Sequence, residues 1–228
     1  MKVVLSMEIG INDRTGRHSM TKLIWITPEA EQVIGYCARV SNPANQDNPD
    51  VSRLLSYCIK HGHWSIFEMA SMCVEIKTTR AIAPQILRHR SFSFQEFSQR
   101  YAAVAEFPVL GDMRLAGTTN RQSSQPMPQR AELDPEMQGV ILDAEIAVSR
   151  GYHAYNELIK AGIAAETARM VLPLCTPTTM YMSGTIRSWI HYVQLRTQED
   201  TQLEHREIAE SIKALMAEHL PITMGVIG

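Results

Sequence analysis

Arg88-His89-Arg90, followed after seven residues by Ser98 and then by Arg100-Tyr101, is the stretch of this chain best equipped for chemistry. Between Arg80 and Arg100, four arginines and one histidine stand against a single acid, Glu96. Guanidinium forks match the oxygens of phosphates and carboxylates, two parallel donors at a time. Cations this dense repel one another unless an anion or acids neutralise them, so an anionic ligand is one reading. A solvated basic face beside a helix C-terminus, where cations are mildly favoured, is the other. Residue types alone leave both open.

Two further groups stand out. His61-Gly62-His63 with Glu68 offers two imidazoles and a carboxylate. No third ligand follows at metal spacing, so a helix-ending turn with polar caps is the better reading. The run Ser183 to Arg196 carries Ile186, Trp189, Ile190 and Val193 as an apolar stripe, with Arg187, His191 and Gln194 on another face. Such a histidine is more often a structural hydrogen-bonder than a catalyst. Arg196, just past the stripe, is placed to reach over a helix end.

The elements that must position these residues can be read from period and punctuation. Lys22 to Thr27 reads as a strand, and Thr27-Pro28-Glu29 as a helix start with a capping hydroxyl and proline at the first position. That helix carries Val33, Ile34, Cys37 and Ala38 on one face. Val51 to Ile59 repeats at helical spacing until Gly62. Met69 to Thr78 alternates as a strand. Arg80 to Arg88 reads as a helix, with Pro84 confined to its first turn, and residues 91–101 as an ordered loop. Residues 105–133 form a long surface excursion rich in Gly, Pro, Ser, Thr and Gln. Asp134 opens a helix with the stripe Met137, Val140, Ile141, Ala144, Val148, Tyr152 and Tyr155, ending at Gly162. A short helix (Ala164 to Val171), a strand (Thr178 to Met182), a helix capped by Ser183 and a last helix from Thr201 to Leu220 follow. Few strands and several helices imply an α/β chain of α+β character, with a small mixed or antiparallel sheet. One domain over 22–220 is expected, after an extension at 1–21.

Composition narrows the class without naming the chemistry. The chain has 228 residues, 45% hydrophobic, with 22 basic against 24 acidic side chains. A net charge of −2 argues against a nucleic-acid coat. No window approaches the ~18 apolar residues of a membrane span, and no secretory leader pattern opens the sequence. Cys37, Cys58, Cys73 and Cys175 form no C-x-x-C pair and read as reduced thiols. A cytoplasmic protein is expected.

Together the weak signals converge. RHRSFSFQEFS (Arg88 to Ser98), continued by Arg100 and Tyr101, resembles the signature of the flavin-dependent thymidylate synthases. The resemblance extends to HGHWSIFE (His61 to Glu68), ARMVLPL (Ala168 to Leu174) and IRSWIHYVQLR (Ile186 to Arg196), blocks in family order. It implies reductive methylation of dUMP to dTMP with FAD, NADPH and methylenetetrahydrofolate, in a homotetramer whose sites are shared between subunits. By the same resemblance, dUMP would meet Gln85, Ile86, Leu87 and Arg88, then Glu96, Phe97, Ser98, Gln99 and Arg100, and finally Arg169 and Arg196. FAD would meet Ser65, Arg88, His89, Arg90, Glu96, Thr185, Arg187 and His191.

Arg196 corresponds to the family's arginine at the pyrimidine, where a cation favours negative charge developing on the ring. Ser98 positions substrate rather than attacking it, because an activated serine needs a base beside it. Three positions depart from the family pattern: Gln95 replaces a common Asn, Thr185 a common Asn, and Asp200 a His found in some members. No metal is expected. Two rivals remain at this stage. One is a non-catalytic nucleotide or nucleic-acid binder using the Arg80–Arg100 patch; the other is a metal-dependent hydrolase built on His61 and His63.

Overall fold

The computed structural model describes residues 21–118 and 124–227; the expected extension, apart from Thr21, lies outside them. In chain order the elements are β1 (Thr21–Ile26), α1 (Ala30–Ala38), α2 (Ser52–Lys60), β2 (Ser71–Thr79), α3 (Ala83–Ile86), β3 (Ser93–Glu96), β4 (Arg114–Ala116) and β5 (Ser124–Pro126). They continue with α4 (Pro135–Lys160), α5 (Ala165–Ala168), β6 (Pro177–Thr185), α6 (Ile186–Arg196), α7 (Leu203–His219) and α8 (Pro221–Ile227). The main sheet has the order β1-β2-β6-β3, and every neighbouring pair is antiparallel. Mixed pairing, left open by the sequence, does not occur among the described residues.

β2 and β6 form the spine, paired from Ser71↔Thr185 to Thr79↔Pro177. Their alternate residues Met72, Val74, Ile76, Met180 and Met182 are fully buried beneath Trp189, Ile190 and Val193 of α6 and Ile208, Ile212 and Leu215 of α7. The two-residue period of a strand sends Glu75, Lys77 and Tyr181 to the opposite face. Trp189 satisfies its indole by donating to the Met72 carbonyl at 3.0 Å. β6 therefore delivers the chain straight into α6, whose apolar side is clamped to the sheet. The polar side of α6 is left to carry site residues.

Several expectations change. Residues 93–96 are not loop but an edge strand on β6; Phe94 is half-buried while Ser93 and Gln95 are exposed, so its alternation is polar and short. The helix expected over 80–88 shrinks to the single turn α3, with Pro84 in its opening turn. Thr27 does not cap α1: its hydroxyl accepts from the Ser71 N–H at 2.9 Å, clasping β2, and Glu29 enters the helix with φ 50°. Ser183 stays in the sheet and Thr185 caps α6, accepting from the Ser188 N–H at 3.3 Å. Residues 114–116 and 124–126 of the long excursion pair as a ribbon.

α2 ends at Gly62 with φ 70°, and Asp134 caps α4 by accepting from the Met137 N–H at 2.7 Å. Of the stripe expected on α4, only Val148 and Tyr155 are buried. Val140 is 60% exposed, and Leu142 and Ile146 are exposed beside it. The fold also runs past residue 220. α8 packs on α2 and α7, and the buried Glu31 carboxylate accepts from the Thr223 N–H at 2.6 Å and the Ile222 N–H at 3.3 Å. A cap supplied from 191 residues away leaves no local trace in sequence.

Candidate active site

α6 and the Arg88–Arg90 segment meet at the end of the helix. The Arg196 Nε–H donates to His89 Nε2 at 2.9 Å. Near the other end of α6, the Ser188 hydroxyl donates to the Ser91 carbonyl at 3.4 Å. Phe92, just beyond, wedges edge-on against Trp189 with ring centroids 4.7 Å apart. It fits there because residue 184 is glycine: a Cβ on Gly184 would fall 2.5 Å from the Phe92 ring. The motif segment is thus held to α6 at three places.

Accepting a hydrogen bond from arginine requires an unprotonated Nε2, and the surroundings enforce it. Burial, then the Arg196 charge, then His191 pull the His89 imidazole down to about 4. Behind it stand two fully buried residues, Tyr192 and His205, with His205 Nε2 at 3.1 Å from the Tyr192 hydroxyl. Burial also drives His205 down to about 4, helped by Arg196 and His89, and pushes the Tyr192 hydroxyl up.

Acids neutralise only part of the four-arginine cluster. Arg80 donates to Glu96 Oε1 and to the Phe97 carbonyl, each at 2.7 Å, and the Thr178 hydroxyl donates to the same Glu96 oxygen at 3.0 Å. Arg100 lies 3.7 Å from Glu166. Arg88 and Arg90 are exposed and make no ion pair among the described residues. The patch therefore offers two free cations rather than a continuous basic face, too few for a sequence-independent nucleic-acid groove. It keeps the chemistry of a small anion site.

The remaining predicted residues fall into groups. Arg187 is ion-paired with Glu68, on the same short helical turn as Ser65 (Trp64 to Glu68). Thr185 is occupied by its capping bond. His191 is exposed, one turn from the Arg196–His89 contact. Gln85 donates to Gln202 at 2.7 Å. Ile86 is fully buried in the core, so only its main chain can meet a ligand, whereas Leu87 and Phe97 are exposed.

Ser98 accepts weakly from the Arg100 N–H at 3.4 Å. Gln99 is buried, its Nε2 without a hydrogen-bond partner among the described residues. Arg169 donates to the Glu166 carbonyl at 3.3 Å, so it and Arg100 share one acidic residue. No hydrogen bond or ion pair among the described residues joins that pair to Arg196. Sequence reasoning passed over Tyr192, His205, Glu166 and Gln202. Of these only His205 carried a signal, a histidine at an apolar helix position. His61 meets the Tyr57 ring tilted and His63 meets it edge-on, on the surface, and the described residues hold no cluster of three or more metal-ligating side chains.

An antiparallel sheet under helices, with Arg196 of α6 bonded to a neutral His89 that lies between Arg88 and Arg90 in the chain, defines an α+β protein that brings cations from two segments together. Comparison with known proteins specifies it further. The family model described as thymidylate synthase complementing protein matches residues 22–222, and the chain belongs to that family, the flavin-dependent thymidylate synthases. It is 50% identical over 195 residues to a probable flavin-dependent thymidylate synthase of Paramecium bursaria Chlorella virus 1, covering 84% of this chain and 88% of that one. It is 49% identical over 192 residues to the flavin-dependent thymidylate synthase of Synechocystis, covering 84% and 86%. The solved UMP/dUMP methylase PolB of Streptomyces cacaoi, bound with 5-Br dUMP, superposes with a TM-score of 0.76 at 26% identity, over 90% of this chain and 93% of that one.

Proposed function

We propose that this chain methylates dUMP to dTMP reductively, with methylenetetrahydrofolate as carbon donor, FAD as resident cofactor and NADPH as reductant. Family membership supports the reaction class. The observation that carries the residue-level reading is the Arg196 guanidinium held by a neutral His89 at the end of α6. Uracil C5 is a weak nucleophile. A fixed cation beside the pyrimidine would stabilise negative charge on the N3/O2 side, favouring the electron-rich form of the ring whose C5 is the better nucleophile, and it is worth most where water is excluded.

The donor set fits FAD. Arg88 and Arg90 are exposed guanidinium groups free of acid partners, suited to a diphosphate. By the family resemblance Ser65, Arg187, His191, His89 and Glu96 would join them, while the Thr185 hydroxyl is committed to its helix. When bound, FAD supplies the hydride chemistry, and the protein supplies orientation and field. On the substrate side Arg100 and Arg169 serve the dUMP phosphate. Gln85, Ser98 and Gln99 hold hydrogen-bonding edges, with the Glu96 oxygen left free by Arg80 beside them. Ser98 has no base among the described residues, which supports positioning over nucleophilic attack.

Among the described residues no hydrogen bond or ion pair joins Arg100 or Arg169 to Arg196, and α4 exposes Val140, Leu142 and Ile146. The exposed apolar side chains favour association with further copies, which in this reading is a homotetramer with sites completed between subunits, working in the cytoplasm. The described residues contain no helix long and apolar enough to cross a membrane. Arg196→Ala tests the reading: flavin should stay bound while turnover falls by about 10²-fold or more. Turnover at the parent level would remove Arg196 from the mechanism.

A further inference from the structure

Arg196 ends a helix, and its side chain has enough rotatable bonds to sweep a wide arc. A planar guanidinium activates a ring only when its plane and direction are fixed. Among the described residues its one hydrogen bond runs from Nε to His89 Nε2 at 2.9 Å. That bond uses the inner donor and leaves both terminal NH2 groups unspent by any described residue. We propose that His89 is the positioning residue of Arg196, aiming the terminal donors at the pyrimidine, and that the buried Tyr192–His205 pair holds the imidazole from behind. The proposal rests on the reaction assigned above and gives His89 a second duty beside the cofactor.

The packing around the ring is specific. Tyr192 meets the His89 ring edge-on with centroids 4.9 Å apart; His205 and Phe92 stand at 6.2 and 6.4 Å, also edge-on. The ionisable groups around it are His191, Tyr192 and Arg196 from α6, His205 from α7, and Arg88 and Arg90 on its own segment. None is an acid, so nothing there favours an imidazolium.

His205 is the costly member. It is fully buried, and its Nδ1 has no hydrogen-bond partner among the described residues. A leucine would fill comparable space and remove the unpaired Nδ1, but it would leave the buried Tyr192 hydroxyl without its partner. What His205 adds over leucine is the hydrogen bond to Tyr192, which fixes the tyrosine that braces His89.

The bond also dictates a tautomer. With Nε2 accepting, the His89 proton sits on Nδ1, the less common form of a free neutral imidazole. Ring-nitrogen NMR of histidine-labelled protein reads this without any turnover. His89 should appear as the Nδ1–H tautomer, and Arg196→Met should shift it towards the Nε2–H form. An Nε2–H tautomer in the parent, or no response to Arg196→Met, would overturn the proposal.

Kinetics give the second readout. His89→Leu should lower kcat by about 10²-fold with the KM for dUMP changed less than about threefold. His89→Gln, whose amide oxygen can accept from Arg196, should recover most of that loss. Equal loss in both variants, or a loss carried by KM or by released flavin, would assign His89 to binding alone. Should parent protein show no turnover, the reaction assignment fails, while the tautomer still decides whether His89 holds Arg196.

Discussion

Acidification from pH 7 to pH 5 should destabilise this protein by an amount traceable to one buried histidine. His205 is fully buried on α7, and its folded-state value of about 4 lies below the ~6.5 of an unfolded histidine. The folded chain resists a proton that the unfolded chain accepts. Stability is therefore complete above about pH 6.5 and drains away as the pH falls towards 4. Integrating between pH 7 and 5, a group moved from ~6.5 to ~4 costs about 2 kcal/mol. For a domain of this size that is a fall in Tm of roughly 4–8 °C.

His89 is displaced in the same direction but only half-buried, so solvent screening reduces its share. Glu204 is held low mainly by Arg114 against the effect of burial, and it titrates below this window. The assay is thermal or urea unfolding across pH 5–7 at one fixed protein concentration, because subunit association shifts apparent stability. The comparison variant is His205→Gln, which cannot titrate yet can reach the Tyr192 hydroxyl. It should lose about 2 kcal/mol of the parent's pH dependence. A variant with the parent's full slope would refute the account of His205.

Two further substitutions probe how the site is braced. Gly184→Ala sets a methyl 2.5 Å from the Phe92 ring and should cost about 1–3 kcal/mol by overpacking, read from urea midpoints; an unchanged midpoint would mean that Phe92 moves aside freely. Arg80→Met removes the cation from the Glu96 oxygen within a mostly buried pair and should cost about 1–3 kcal/mol. Parent-like stability would show the pair to be incidental.

The parts of the fold legible in sequence were those with local causes. Asp134 before Pro135 announced α4, and Gly62 closed α2, because caps and left-handed turns are properties of a few adjacent residues. β3 was missed because an edge strand exposed on one face needs little hydrophobic alternation. Thr27 and Ser183 misled because each hydroxyl or amide found a partner across the sheet instead of in the next helix. α8 depends on Glu31, and no local pattern reports a carboxylate so distant in sequence.

The site divides the same way. Its arginines and Ser98 stand in a recognisable order, so the resemblance alone assigns them. What restrains them does not show in sequence: Arg80 on Glu96, Arg100 beside Glu166, and Arg196 on His89 at 107 residues' separation. Those contacts decide which cations remain free for a ligand.

Tritium release from C5-labelled dUMP tests the central claim most directly, using parent protein with FAD, NADPH and methylenetetrahydrofolate and omitting each in turn. Release that requires all of them is the predicted result, since substitution at C5 must expel that hydrogen. Absence of release from protein carrying bound flavin would contradict the assignment of dUMP as substrate.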